Sequence, residues 1–221
     1  RDVLGSRGLG DVYKRQTTTK LRVIGGHQQM IRLDFEESAP IAGFDADRFF
    51  RYISRKLDED LDVVIISDYG KGVCTEENCR RMIESCHTYG VPVVVDPKGT
   101  NWTKYAYADY ITPNLKEINQ VLAEPIHNED RAVEVAAHYV MNRFNIRNVI
   151  VTRSEEGLSL IRDDENVHIP TKAQEVFDVS GAGDTVIAVF AMGLAGGMSP
   201  ADSAYICLLY TSPSPRDPKT S

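Results

Sequence analysis

The sequence predicts a layered α/β domain with a mainly parallel sheet, fronted by a small two-stranded β ribbon. Three observations carry this. Short β-branched runs alternate with amphipathic helical stretches between residues 45 and 195. Residues 29–35 alternate strictly, with Met30, Arg32 and Asp34 against Ile31, Leu33 and Phe35. A Gly-rich segment, DVSGAGDT at residues 178–185, opens the last helical stretch on small residues.

Element by element, residues 20–24 and 29–35 read as two strands around a turn at Gly25 and Gly26. Residues 45–57 are helical, with Phe49, Phe50, Ile53 and Leu57 forming the apolar stripe. Residues 63–66 form a β-branched run, expected to be a strand buried on both faces. Residues 75–89 read as a helix with Thr75 as N-cap and Gly90 as stop. Residues 91–95 are a second buried strand, 110–112 a short one and 115–122 a helix. A longer helix covers 129–144 and a strand 148–152. Residues 158–161 and 167–169 pair as a hairpin, and 181–195 form the final helix.

The 221-residue chain is long enough for one domain with a sizeable core, and its 42% hydrophobic content is that of a globular protein. A net charge of −7 argues against a nucleic-acid binder, which carries a basic face. It leaves room for an anionic substrate in a local basic pocket. No apolar run approaches the roughly 18 residues of a membrane span, and the first residues lack a signal-peptide pattern. Cys74, Cys79, Cys86 and Cys207 therefore read as reduced, cytoplasmic thiols. Cys79 and Cys86 share one helix face; their spacing with His87 is poor for a metal site. None of the five histidines shows ligand spacing.

The two ends look foreign. SRGLGDVYKRQ (residues 6–16) can be encoded by a DNA element whose reverse complement, shifted in frame and completed by one pyrimidine, translates as CLLYTSPSPRD (residues 207–217). One element thus explains both ends, and it resembles a sequencing adapter inserted by a transposase. Residues 1–16 and 207–221 are accordingly excluded from fold reasoning. Residues 17–37 are then part of a β lid and residues 38–206 an incomplete α/β core, cut at both ends. Such a piece would expose sheet edges and apolar helix faces, so the chain as written is expected to be inactive and poorly soluble.

The chemistry-bearing residues gather at strand ends. In DVSGAGDT, Gly181 and Gly183 allow close backbone approach, and the amides of Gly181, Ala182 and Gly183 form an anion hole at a helix N-terminus. Asp184 beside them can accept a proton from an attacking hydroxyl; it can equally complement the helix dipole. Asn114 and Glu117, three apart at a helix start, suit a magnesium ion held through its water shell, or a capping box. Thr152 and Arg153 after a strand can touch phosphates while Gly157 turns the hairpin; a polar turn is the simpler alternative. A phosphorylated sugar needs a cationic anchor, for which Arg22, Arg32, Lys71 and Lys98 are candidates. The arginines fit a solvated ribbon face equally well. Asp68 suits the orientation of a sugar hydroxyl or of an interior lysine.

These motifs, in this order and all at strand ends, resemble the ribokinase-like (PfkB) family of carbohydrate kinases. The resemblance implies a three-layer sandwich with a β lid, ATP as donor and Mg2+ as cofactor. It implies Asp184 as the base, Gly181, Ala182 and Gly183 as the anion hole, and Asn114 and Glu117 with magnesium and phosphates. SDYGKG (67–72), DPKGT (96–100) and KLRVIGGHQQMIRLDFEE (20–37) look more narrowly like the D-glycero-β-D-manno-heptose 7-phosphate kinases of ADP-heptose synthesis, which supplies the lipopolysaccharide core. That likeness covers essentially all of residues 17–206. It implies phosphorylation of the sugar's O1 to the 1,7-bisphosphate, and a possible homodimer through the lid. The alternatives are a fructokinase, phosphofructokinase or ribokinase of the same family, or a non-catalytic nucleotide- or sugar-binding relative.

Overall fold

Alternating strands and helices build a three-layer sandwich. A computed structural model describes residues 19–25, 28–36, 38–171 and 182–211. Residues 1–16, Gly26, residues 178–181 and residues 212–221, discussed above, lie outside that range. The chain divides into two units, residues 1–40 and 41–221.

In the first unit, β1 (Thr19–Gly25) and β2 (Gln28–Phe35) pair antiparallel. Leu21 faces Leu33 and Val23 faces Ile31, so one side of the ribbon is apolar. Arg22 faces Arg32 on the other side. Arg32 is engaged by Asp34, its Nη2 lying 2.6 Å from a carboxylate oxygen.

The second unit begins with α1 (Gly43–Leu57), β3 (Val64–Ser67), α2 (Glu76–Thr88) and β4 (Val93–Asp96). It continues with β5 (Tyr110–Ile111), α3 (Leu115–Val121), α4 (Asp130–Phe144) and β6 (Val149–Thr152). β7 (Leu158–Ile161), β8 (Asn166–Ile169), α5 (Ala182–Ala195) and α6 (Pro200–Thr211) complete it. The six described strands run in the order β3-β4-β5-β6-β7-β8. β3 to β6 are parallel, and β7 and β8 add antiparallel as the expected hairpin. Short parallel strands need crossover helices, and α2, α3 and α4 supply them.

Alternation along each strand sorts the core into two sides. Val93, Val95, Ile111, Val149 and Val151 pack with α1, α2, α3 and α4. Val94, Tyr110, Ile150, Leu158 and Leu160 pack with α5 and α6. β4 is therefore apolar at every buried position, its three valines wholly inaccessible. β3 departs from expectation: Ile66 is buried, but Ile65 is 41% exposed. β3 pairs only with β4 among the described strands, and an edge position leaves one of its faces open.

Local signals act as expected at α2, where the Thr75 hydroxyl accepts from the Asn78 amide. Cys79 and Cys86 share the buried face of that helix. A 3-10 turn, Trp102–Tyr105, was not anticipated; it buries both aromatic rings completely. α6 is not expected from the sequence either, because five of its twelve residues fall in the 207–221 stretch set aside as foreign. Its Cys207 is buried against α5. The close approach of α5 to α6 needs Gly193: a Cβ there would stand 2.5 Å from the Ser203 hydroxyl. No helix among the described residues is long and apolar enough to cross a membrane.

Candidate active site

The carboxyl ends of the parallel strands open onto one pocket, the position where open α/β sheets bind ligands. β3 delivers Asp68 and Tyr69, and β4 delivers Asp96, Pro97 and Lys98. β5 leads to Thr112, Asn114 and Glu117, and β6 ends in Thr152. The first turn of α5 adds Gly183 and Asp184. Residues up to 116 positions apart in sequence, from Asp68 to Asp184, thus meet at one site.

At the start of α5, the amides of the first turn have no partner within the helix and carry the positive end of its dipole. Ala182, Gly183 and Asp184 all lie in that turn. The third proposed amide, that of Gly181, is outside the described residues. The Tyr69 hydroxyl reaches the Asp184 carboxylate, 3.1 Å from one oxygen and 3.3 Å from the other. That hydrogen bond, joined by the Asp184 charge, pushes the Tyr69 phenol above its ordinary range.

Asn114 caps α3. Its side-chain oxygen accepts from the Glu117 amide at 2.9 Å, and Glu117 Oε2 accepts from the Asn114 amide at 3.0 Å. The capping box is real, and it holds both side chains at the pocket wall. Thr152 is placed beside them, its amide donating to the Pro113 carbonyl at 3.0 Å.

Four carboxylates, Asp68, Asp96, Glu117 and Asp184, face a pocket with one lysine, Lys98, on its lining. Burial first, then the charges of Glu117 and Asp184, push the Asp96 carboxyl up to about 6. Mutual repulsion of hard oxygen donors is what a divalent cation relieves. No cluster of three or more His, Cys, Asp or Glu side chains among the described residues forms a metal cage. A hydrated magnesium ion bound largely by phosphates needs only one or two carboxylates, so the residues present fit it.

The raised Asp96 has a consequence for stability. Its folded pKa lies above the unfolded value of about 3.9, so the folded state holds the proton more tightly. The destabilising contribution is absent below pH ~4 and complete above pH ~6, where it reaches about 1–3 kcal/mol. In EDTA, Asp96→Asn is expected to melt several degrees above the parent at pH 7.5 and level with it at pH 4. Equal melting temperatures at pH 7.5 would contradict the assignment.

Several expected site residues lie elsewhere. Arg153 does not face the pocket. Its side chain is 2% exposed and turns into the interior. There it donates to Asn128 Oδ1 at 2.8 Å, Asp130 Oδ1 at 2.5 Å and Ser159 Oγ at 3.0 Å. A guanidinium offers five donors in a fixed fork, and two separate segments use them here. Gly157 is a buried turn residue at φ +85°, not a pocket residue. Lys71 is not among the pocket-lining residues. Asp68 lines the pocket but serves an interior lysine: Oδ2 accepts from Lys104 Nζ at 2.5 Å and from the Tyr105 hydroxyl at 2.6 Å. Arg22 and Arg32 belong to the ribbon unit.

Sequence reasoning had assigned no role to Tyr69, Asp96 or Thr112. Asp96 carried a readable signal, an ionisable residue closing an all-valine strand. Tyr69 and Thr112 carried none, because what matters is a partner far away in sequence. Among the described residues no histidine lines the pocket: His87 pairs with Asp109 at 3.0 Å and His168 with Glu134 at 3.0 Å.

Known proteins share this sequence and fold. The pfkB family carbohydrate kinase description matches residues 5–206. The match begins inside the stretch expected to be foreign and stops where the second such stretch begins. A bifunctional protein HldE of Syntrophotalea carbinolica is 41% identical over 202 residues, covering 91% of this chain and 41% of that protein. The chain thus spans about two fifths of the length of the curated relatives it matches. Phosphofructokinase-2 from Escherichia coli, in complex with potassium, superposes with a TM-score of 0.69 at 18% identity, covering 90% of this chain and 63% of that one. Ribokinase from Thermotoga maritima gives 0.58 at 26% identity, covering 72% and 51%. The fold is ribokinase-like, and the chain belongs to the pfkB family of carbohydrate kinases.

Proposed function

We propose that these residues are the kinase part of an enzyme that transfers the γ-phosphoryl group of ATP to O1 of D-glycero-D-manno-heptose 7-phosphate. The product is the 1,7-bisphosphate, a precursor for ADP-heptose and the lipopolysaccharide core. One observation carries the reading: Asp184 stands in the first turn of α5, in the same pocket as Asn114, Glu117 and Thr152. That arrangement combines donors for the transferring phosphoryl oxygens with a base for the acceptor. Likeness of about 40% to bifunctional HldE proteins supports a heptose phosphate as the sugar.

In the proposed step, the sugar O1 attacks the γ-phosphorus in line. The bond from γ-phosphorus to the β-bridging oxygen breaks, ADP leaves, and the O1 proton passes to an Asp184 carboxylate oxygen. The amides of Gly181, Ala182 and Gly183 receive the phosphoryl oxygens. Thr152 lies on the nucleotide side. Asn114 and Glu117 would hold Mg2+ through water, and the ion would supply charge neutralisation to the phosphates. Lys98, exposed on the pocket lining, offers a point contact to the anionic substrate. Arg22 and Arg32 remain candidates for the 7-phosphate, since their Cα atoms face one another on one side of the ribbon. A homodimer through the ribbon fits its apolar row, in which Leu21, Val23, Ile31 and Leu33 are each exposed. ATP as donor implies a cytoplasmic enzyme.

A substrate panel tests the assignment. A complete reading frame carrying residues 17–206 is assayed with heptose 7-phosphate, fructose 6-phosphate, fructose and ribose. Heptose 7-phosphate is expected to give a kcat/KM at least about a hundredfold above the others, a factor worth about 2.7 kcal/mol of transition-state binding. Preference for fructose 6-phosphate would move the reading to a phosphofructokinase. Preference for a free sugar would remove the need for a phosphate anchor. Binding of ATP and sugar with no turnover of any of them would leave a non-catalytic relative.

A further inference from the structure

We propose that Tyr69 is a positioning residue for the phosphoryl-transfer base. Its phenol holds the Asp184 carboxylate in the orientation that meets the acceptor hydroxyl, and a buried Lys104–Asp68–Tyr105 cluster holds Tyr69 in turn. The inference rests on the reading of Asp184 as that base.

Asp184 is exposed on the first turn of α5, and the final torsion of an Asp side chain is soft. A base that rotates freely faces its proton only part of the time, and alignment is a large share of catalysis. The hydrogen bonds that reach this carboxylate from the described residues come from Tyr69. At 3.1 and 3.3 Å from the two oxygens, the phenol stands nearly midway in front of the carboxylate. It fixes the carboxylate plane and leaves the outer lone pairs for the acceptor hydroxyl.

Tyr69 is itself 54% exposed, so it constrains Asp184 only if its own backbone is held. Asp68 holds it. One Asp68 oxygen accepts from the Gly70 amide at 2.6 Å, closing the turn around Tyr69. The other is bound by Lys104 and Tyr105. The Asp68 amide donates to the Asp96 carbonyl at 3.0 Å, tying the turn to the end of β4. Asp68 is 4% exposed and Tyr105 wholly buried, so the cluster is a rigid support. A support chain thus runs from the 3-10 turn through Asp68 and Tyr69 to the base, linking three separate elements at the pocket.

The test uses the complete kinase. Tyr69→Phe keeps the ring and removes the donor. It is expected to lower kcat about fivefold to tenfold, the worth of one positioning hydrogen bond, with KM for ATP and melting temperature unchanged. Lys104→Met should lower kcat in the parent and add nothing in the Tyr69→Phe background, because both act through the same phenol. A Tyr69→Phe kcat at or above about half the parent value would overturn the proposal. So would independent, multiplying effects of the two substitutions, or a fall in kcat accompanied by lost stability and a raised KM for ATP. Asp184→Asn separates the two levels. If it retains turnover, the base assignment itself fails; if it is inactive while Tyr69→Phe is unaffected, only the positioning role fails.

Discussion

Asp184→Asn in the complete kinase is expected to lower kcat by about 10²- to 10⁴-fold while ATP affinity stays within about twofold. Asn is isosteric, so the first turn of α5 and its amides keep their geometry. What disappears is the only carboxylate in that turn and its capacity to take the acceptor proton. The change also removes a negative charge from a helix N-terminus, which costs about 0.3–1 kcal/mol. That corresponds to a melting shift of a few degrees at most for a domain of this size. Loss of turnover in a protein that still melts near the parent temperature and still binds ATP therefore reports chemistry. Removing the charge also relieves repulsion on Asp96, whose carboxyl is raised partly by Asp184. ATP affinity is accordingly expected to hold or to tighten slightly. Turnover above about a tenth of the parent value would refute the base role.

Gly157→Ala is the second large effect, and it concerns folding. Gly157 sits at φ +85° and ψ −121°, a conformation that residues with a Cβ avoid. An added Cβ would stand 2.1 Å from the Ile169 carbonyl oxygen, 2.7 Å from the Thr171 nitrogen and 3.0 Å from the Pro170 carbonyl carbon. All three are backbone atoms, so no side chain can rotate out of the way. The turn is also bonded at both ends, with Arg153 N donating to Gly157 O at 2.8 Å and Gly157 N to Ser154 O at 3.0 Å. A cost above about 3 kcal/mol is expected, a melting loss near 10 °C or failure to fold. A phosphate-binding glycine would behave differently, raising KM for ATP in a protein of normal stability. Thermal melts together with ATP kinetics separate the two roles.

Much of this architecture could be read from sequence because its causes are local. The β4 valines needed only their run and their boundaries. Thr75 needed only a helix pattern three residues downstream. The strand-end motifs could be placed because parallel sheets put their chemistry there. What escaped has distant causes. Arg153 follows a strand end and looked like a phosphate contact, yet its partners Asn128, Asp130 and Ser159 come from other elements and draw it inside. Ile65 looked like its buried neighbours because a sequence does not declare which strand is the edge. Tyr69 gave no sign of its role, since its partner lies 115 residues away. Asn114 and Glu117 were readable as both cap and cation pair. The capping box places them, and a divalent cation would use the oxygen it leaves over.

The account stands or falls on where the phosphoryl group goes. The decisive measurement is phosphorus NMR of the complete kinase incubated with ATP, Mg2+ and D-glycero-β-D-manno-heptose 7-phosphate. The expected result is an anomeric phosphate resonance, coupled to the sugar's anomeric proton, growing one-for-one with ADP and absent with Asp184→Asn. ADP appearing with inorganic phosphate alone, or a phosphate on any other sugar oxygen, would contradict it.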